Sequence, residues 1–483
     1  MRLAVIARVF GILLTVFSLT LLPPIGVSLW YADGTHIAFS IAFGITLLTG
    51  LFMWLPVHDL KQDLRTRDGF VVTSLFWLVL GSFGSLPLII SPQPDLSVVD
   101  SIFESISGLT TTGATTITGL DALPPAILYY RQQLQWFGGI GVIVIALAIL
   151  PMLGIGGMQL YKAEMPGPVK DTKLTPRIAE TARALIVIYV ILTILCGIGY
   201  WWAGMSVFDA VGHAFSTVAN GGFSTHDASM GFYAQNHAIM AIAVIFMLTA
   251  GINFGLHFFA FSNRSLSHYW KDSEFRFFVW TMISASAVIV GYLWMSGTFS
   301  LNGSLLHGVF QVVSIGTTAG FASESFALWP AFLPYVLLMI GIMGGCAAST
   351  CGGIKTVRVM LILKSGLREL NRLVHPNAVV PIKVNGKIVP PRVTDAVWGF
   401  FAVYILSFFV FTIVVMATGE NFVTSFSTVA ACLSNIGPAL GDAAAHYGSV
   451  NEVAKCFLIL AMLMGRLEIF TLLVLLTPAF WRN

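Results

Sequence analysis

Charge is what this sequence has least of: 10% of its 483 residues are Asp, Glu, Lys or Arg, against 57% hydrophobic and a mean hydropathy of +0.85. That balance excludes an ordinary soluble globule, in which about a quarter of the residues are charged. Cysteine is scarce too. The five present (Cys196, Cys346, Cys351, Cys432 and Cys456) are scattered through apolar or glycine-rich segments, and they read as small buried side chains, not as disulfides or metal ligands. No catalytic triad, metal-ligand cluster or phosphate loop occurs, so the chain does not read as an enzyme. The net charge of +3 says little, because the distribution of charge matters more than its sum.

Long apolar runs and glycine are abundant. Runs of about 20 residues, the span a helix needs to cross hydrocarbon, recur along the whole chain. The 46 glycines suit close helix packing and non-helical backbone buried inside a bundle. Two spans come first, at 3–30 and 37–55, and the first is too long for a cleaved signal segment. One unit then recurs four times: a span, a short amphipathic segment ending in a polar glycine run, and a second span. The spans before the short segments fall at 71–90, 182–202, 277–295 and 393–417. Those after fall at 127–153, 239–261, 331–363 and 453–476.

The short segments carry the strongest signal. The first, Phe103-Glu-Ser-Ile-Ser-Gly-Leu-Thr-Thr-Thr-Gly113, has looser copies ending at Gly222, Gly320 and Gly437, so the four glycines fall 109, 98 and 117 residues apart. Two positions before them stand Thr111, Asn220, Thr318 and Asn435. Lys and Arg cluster in the loops between units and at both chain ends; of 25, only Arg131, Lys455 and Arg466 fall elsewhere. Positive charge marks cytoplasmic loops, so all inter-unit loops and both termini are expected in the cytoplasm. Each short segment must then enter and leave on the outer side as a re-entrant hairpin. Inverted-repeat transporters would not give this charge pattern. The expected fold is all-α and membrane-integral, with four pseudo-repeats around a central pore and an N-terminal helix pair. The expected divisions are 1–68 (helix pair), 69–175, 176–272, 273–390 and 391–483 (repeats).

Four glycine runs around one axis would present rings of carbonyl oxygens able to replace the hydration shell of a monovalent cation. The candidate backbone ligands for such a cation are Thr110, Thr111, Thr112 and Gly113; Ala219, Asn220, Gly221 and Gly222; Thr317, Thr318, Ala319 and Gly320; and Ser434, Asn435, Ile436 and Gly437. No run carries a charged side chain, which argues against a divalent site. Each short helix would aim its partly negative C-terminus at the membrane centre. Asp100 and Asp209 read as N-terminal caps of the short helices. Glu104 either braces the loop or faces outer water, and His213 and His307 read as satisfying local backbone groups. Gly344-Gly-Cys-Ala-Ala-Ser-Thr-Cys-Gly-Gly353 interrupts the second span of unit three, as a kink or as a functional loop. Arg466 lies near the middle of the last span, where a charge is expensive; Glu468 is on another helix face and is not an obvious partner.

The 103–116 stretch, Asn220-Gly-Gly-Phe-Ser-Thr-His226, Thr317-Thr-Ala-Gly-Phe321, the 344–355 stretch and Gly465-Arg-Leu-Glu468 together resemble the bacterial Trk-type potassium-uptake proteins (TrkH/TrkG; superfamily of K⁺ transporters). Lys162-Ala-Glu-Met-Pro-Gly-Pro168, Arg177-Ile-Ala-Glu-Thr-Ala182 and Arg372-Leu-Val-His-Pro-Asn377 add to a resemblance that covers essentially the full chain. It implies an intramembrane gating loop containing Gly344, Gly345, Ser349, Thr350, Gly352 and Gly353. It also implies that Arg466 projects against that loop as an electrostatic barrier. It further implies a homodimer in the bacterial inner membrane, seated on a cytosolic TrkA-type ring that binds NAD(H), ATP and ADP. The basic loops 170–177 and 358–392 are the expected docking surfaces, with lipid contact as their plainer reading. No organic cofactor and no nucleic acid are expected. The runs align on a single Gly each where tetrameric potassium channels have Thr-Val-Gly-Tyr-Gly, so moderate K⁺ over Na⁺ preference with permeant Rb⁺ is expected. A K⁺/H⁺ or K⁺/Na⁺ symporter is the alternative, in which His213, His307, Asp100 or Glu104 would titrate.

Overall fold

The computed structural model describes residues 3–59, 66–144, 174–330, 332–467 and 469–482, and side chains are not described at 66, 142–144, 174–181, 476 and 479. Lys162, Lys170, Lys173 and Glu468, with the 162–168 motif, lie outside the described residues. Of the 170–177 and 177–182 stretches, only backbone from 174 on and the Ala182 side chain are described.

Six helices are long and apolar enough to cross a membrane: Leu3–Tyr31, His36–Val57, Arg67–Ile90, Ala182–Trp202, Ser273–Met295 and Pro391–Ala417. The first two are the N-terminal pair. They cross where a Cβ on Gly11 would lie 2.8 Å from the Gly50 carbonyl, so both positions need glycine for the helices to touch.

Four short helices alternate with the spans: Val98–Leu109, Val207–Ala219, Leu301–Gly316 and Phe422–Leu433. Each is started by a polar side chain that accepts a backbone N–H three residues on, from Ser97, Ser206, Ser300 and Asn421. Asp100 and Asp209 are therefore not the caps. They sit one turn in, and the cap hydroxyls donate to their carboxylates (Ser97 Oγ at 3.1 Å, Ser206 Oγ at 2.7 Å).

After each glycine run the chain folds back along its own short helix. Thr116 N–H returns to Glu104 at 2.9 Å, and Thr225 Oγ1 to the Asp209 carboxylate at 2.7 Å. In unit four, Ser427 Oγ meets the Leu440 carbonyl at 3.2 Å. The short segments are re-entrant: entry and exit lie on one face.

The second spans of units two and four depart from the expected continuous helices, and that of unit three breaks where the glycine-rich run was expected to interrupt it. In unit two His237–Gly251 and Phe254–Ser262 meet at 94°. Ile252 is extended there, and the Asn253 side chain caps the second helix at Gly255 N–H. In unit three Leu333–Met343 ends at Gly344 and Thr356–Val374 resumes after the loop. In unit four Glu452–Arg466 stops and Phe470–Leu476 follows, so Arg466 closes a helix within the span. Each break frees backbone groups that must be satisfied inside the protein.

Candidate functional site

All four short helices end alike. The residue two before the glycine is left-handed: Thr111 (φ 54°), Asn220 (51°), Thr318 (57°) and Asn435 (52°). The next N–H reaches back to the helix, Thr112 to Ser107 O, Gly221 to Ser216 O and Ala319 to Ser314 O at 2.8 Å, and Ile436 to Ala431 O at 2.7 Å. This is the Schellman termination, with Thr or Asn where glycine is usual. The glycines follow, again left-handed: Gly113 (φ 80°), Gly222 (81°), Gly320 (78°) and Gly437 (93°). A β-branched residue at positive φ is strained, so Thr111 and Thr318 mark stored strain in units one and three.

The four turns close on one another in chain order. The backbone atom nearest a Cβ added at Gly113 is the Gly221 carbonyl oxygen, at Gly222 that of Ala319, at Gly320 that of Ile436, and at Gly437 that of Thr112. Each glycine is thus pressed by the residue just before the next unit's glycine, and the fourth unit returns to the first. Three of the candidate carbonyls also accept protein hydrogen bonds: Gly221 from Gln135 Nε2 (2.6 Å), Ser434 from Gly353 N–H (2.8 Å) and Gly437 from Tyr447 OH (2.7 Å).

Nine residues before each glycine stand Glu104, His213, Gln311 and Thr428. Glu104 braces the loop: besides Thr116 N–H it accepts the Thr115 hydroxyl (3.0 Å) and Arg131 Nε (2.8 Å). His213 meets the Asp209 carbonyl and the Ser224 hydroxyl, both at 2.9 Å. His307 meets Ser323 Oγ at 3.1 Å and, among the described residues, no backbone group. Lys455 pairs with Asp100 at 2.6 Å, joining unit four to unit one.

Against this ring, on the side of the helix C-termini, lies the 344–355 loop. Its two ends pair, with Ile354 N–H on Ile342 O (2.9 Å) and Lys355 N–H on Met343 O (3.0 Å). Gly353 needs its lack of a side chain, since a Cβ there would lie 2.8 Å from Gly344 Cα. The loop touches three units. Asn220 Nδ2 donates to Thr350 Oγ1 (3.0 Å), Gly352 N–H to Thr318 Oγ1 (2.7 Å) and Gly353 N–H to Ser434 O. Gly345 and Ser349 face inward, Ser349 Oγ donating to Cys346 O at 2.6 Å. Arg466, 9% exposed, donates from Nη1 to Thr350 O at 3.0 Å, while its Nε and Nη2 have no hydrogen-bond partner among the described residues. The buried Glu274 carboxylate accepts N–H groups from both ends of the loop, Ala347 at 2.6 Å and Val357 at 3.2 Å.

On the opposite side the four glycines floor a cavity of about 560 Å³, also lined by Arg131, His226, His307 and His446. Burial works against charge on His226, but hydrogen bonds to Asp209 and Asp121 outweigh it and raise its pKa. The same contact, 2.5 Å to His226 Nδ1, holds Asp121 below the usual carboxylate value.

Sequence reasoning did not find Gln132, Gln135 or Glu274. The first two had a signal: with Arg131 and Gln133 they form a polar cluster inside an apolar span, where polar groups are costly.

The family model for TrkH, described as a cation transport protein, matches residues 35–482. The Trk system potassium uptake protein TrkH of Halomonas elongata is 54% identical over 483 residues, all of both chains. TrkH of Escherichia coli K12 is 52% identical over 484 residues with the same full coverage, and TrkG of that strain 42% over 479 residues, 99% of each chain. The crystal structure of the potassium transporter TrkH from Vibrio parahaemolyticus superposes with a TM-score of 0.93 at 51% identity, covering all of both chains. With its re-entrant helices closing one ring, the chain belongs to the TrkH family of cation transport proteins.

Proposed function

We propose that the protein takes up potassium across the bacterial inner membrane, through a channel-like pore whose filter is the ring of four glycine turns. The closed contact order of Gly113, Gly222, Gly320 and Gly437 carries this reading. Left-handed residues alternate with a residue of negative φ in every turn, and that alternation keeps neighbouring carbonyls on one side of the chain, where a strand would splay them. Carbonyls so aligned replace a cation's hydration shell. The candidate ligands remain Thr110–113, 219–222, 317–320 and 434–437 by backbone. With one left-handed glycine per unit and some carbonyls shared with protein donors, K⁺ is preferred over Na⁺ only moderately, and Rb⁺ permeates.

The 344–353 loop and Arg466 form the gate. A guanidinium whose Nε and Nη2 have no hydrogen-bond partner among the described residues, next to the filter's inner end, repels an arriving cation until the loop moves. The charge distribution supports cytoplasmic termini and inter-unit loops, with the vestibule outside. A homodimer seated on a cytosolic TrkA-type ring binding NAD, ATP or ADP completes the reading, with the 170–177 and 358–392 loops as its docking surfaces and the five-part division at 68, 175, 272 and 390.

The test is ⁸⁶Rb⁺ uptake into liposomes holding the purified protein, with Gly113→Ser and Arg466→Ala alongside. The expected result is flux in the parent protein, reduced or less selective flux in Gly113→Ser, and raised flux in Arg466→Ala. Flux only when a proton or sodium gradient is imposed would replace the channel by the K⁺/H⁺ or K⁺/Na⁺ symporter.

A further inference from the structure

Unit two's glycine turn is held from behind by a helix of unit one, in addition to its own helix-terminating bond from Gly221 N–H to Ser216 O. Helix Pro125–Val144 presents Arg131, Gln132 and Gln135 to the back of that turn. The Gln135 amide brackets Gly222: its Nε2 donates to Gly221 O at 2.6 Å and its Oε1 accepts Phe223 N–H at 3.1 Å. Gln132 Nε2 donates to Phe223 O at 3.2 Å, and Arg131 Nη1 to Ser224 O at 3.3 Å. The residues on both sides of Gly222 are thus held: Gly221 and Phe223 by unit one, and Ser224 by Arg131 and His213.

The two glycines facing these amides have lost their side chains to them. A Cβ on Gly221 would lie 2.6 Å from Gln135 Oε1, and one on Gly212 would overlap Gln132 Oε1. Gly212 sits inside the short helix Val207–Ala219, where glycine is unfavourable, so its presence needs such a reason. All three side chains are buried, and a buried amide meets its partners at fixed distance or not at all.

We propose that Gln135 is a specificity-determining positioning residue: by fixing the carbonyl of Gly221 and the N–H of Phe223, it sets the width of the filter at unit two and hence the K⁺ over Na⁺ preference. The proposal rests on the filter reading above. It makes selectivity depend on a side chain behind the conduction path, which an ion never touches.

The experiment measures reversal potentials under K⁺/Na⁺ gradients, with ⁸⁶Rb⁺ flux, on the full-length protein in liposomes. The variants are Gln135→Met, Gly221→Ala, the double variant Gly221→Ala/Gln135→Ala, Gln133→Leu and Gly113→Ser. Gln133 is on the same helix, but its amide donates to Thr20 O at 2.8 Å, away from the ring, so it controls for general loosening of the helix. The expected result is a rise of roughly fivefold in relative Na⁺ permeability in Gln135→Met, as for the loss of about one buried hydrogen bond. Gln133→Leu keeps the parent ratio. Gly221→Ala loses flux, and shortening Gln135 in the double variant restores part of it; this arm remains informative if Gln135→Met does not fold. Changed selectivity in Gly113→Ser with a parental ratio in Gln135→Met overturns the proposal and leaves the filter standing. A parental ratio in both overturns the filter reading itself.

Discussion

Glu104 and Arg131 form an ion pair of 2.8 Å in which neither side chain reaches solvent, at 0% and 1% exposure. The pair joins two units, because Glu104 lies on the short helix of unit one and Arg131 reaches on to Ser224 O in unit two. Removing one partner leaves a buried, uncompensated charge, which costs about 3–5 kcal/mol. Glu104→Leu is expected to lower the thermal unfolding midpoint in detergent sharply. The double variant Glu104→Leu/Arg131→Met is expected to recover most of that loss. A double variant as unstable as the single would show that the hydrogen bonds to Thr115 and Thr116, not the charge balance, hold the loop.

The ring glycines tolerate no side chain for two independent reasons, positive φ and the neighbouring carbonyl. Gly437→Ala, at φ 93°, is expected to abolish ⁸⁶Rb⁺ uptake while Gly291→Ala, which faces open space, leaves it unchanged. The left-handed strain alone is about 1–2 kcal/mol per residue. Parental uptake in Gly437→Ala would rule out the closed ring.

Glu274 holds both ends of the intramembrane loop through Ala347 and Val357 N–H. Glu274→Gln keeps the shape and one acceptor oxygen but weakens both charge-assisted bonds. We expect raised basal ⁸⁶Rb⁺ flux in the absence of any regulator. A variant with unchanged basal flux and lowered thermal stability would confine Glu274 to a structural role.

His226 makes the vestibule face pH-sensitive. Its folded pKa is raised above 6.5, so its contribution to stability is complete below 6.5 and is lost as pH rises through the folded value. Unfolding midpoints measured between about pH 6 and 9 should fall with rising pH, and the fall should shrink in Asp121→Asn. An unaltered slope in Asp121→Asn would locate the titration elsewhere.

Hydropathy placed the spans because a helix in lipid must be apolar over its whole length, and the four glycine runs were visible because positive φ restricts residue choice. The breaks at Ile252 and after Arg466 were not legible. Gly251 and Asn253 are a weak stop-and-start signal inside an apolar run, and the bend also carries Cys346 N–H on Gly251 O at 2.9 Å, a contact between distant segments that spacing does not reveal. Asp100 was misread as a cap because Asp suits that position; Ser97, three residues earlier, takes it, which frees the carboxylate for Lys455. Arg131 stood out as a cation away from the basic loops, yet its partner in another helix could not be inferred from spacing. Gln135 left a signal in the polar cluster 131–135, but its partners, Gly221 and Phe223, lie in another unit and could not be read from spacing.

The contact of Gly437 with Thr112 O, with Tyr447 N–H on Thr115 O at 2.7 Å, joins the last quarter of the chain to the first repeat. A nascent chain emerging from the ribosome therefore holds three quarters of a ring until its final helices are inserted. Without the fourth unit, Gly320 lacks its Ile436 neighbour and Thr112 lacks Gly437, so two of the ring's four contacts form only when the chain is finished.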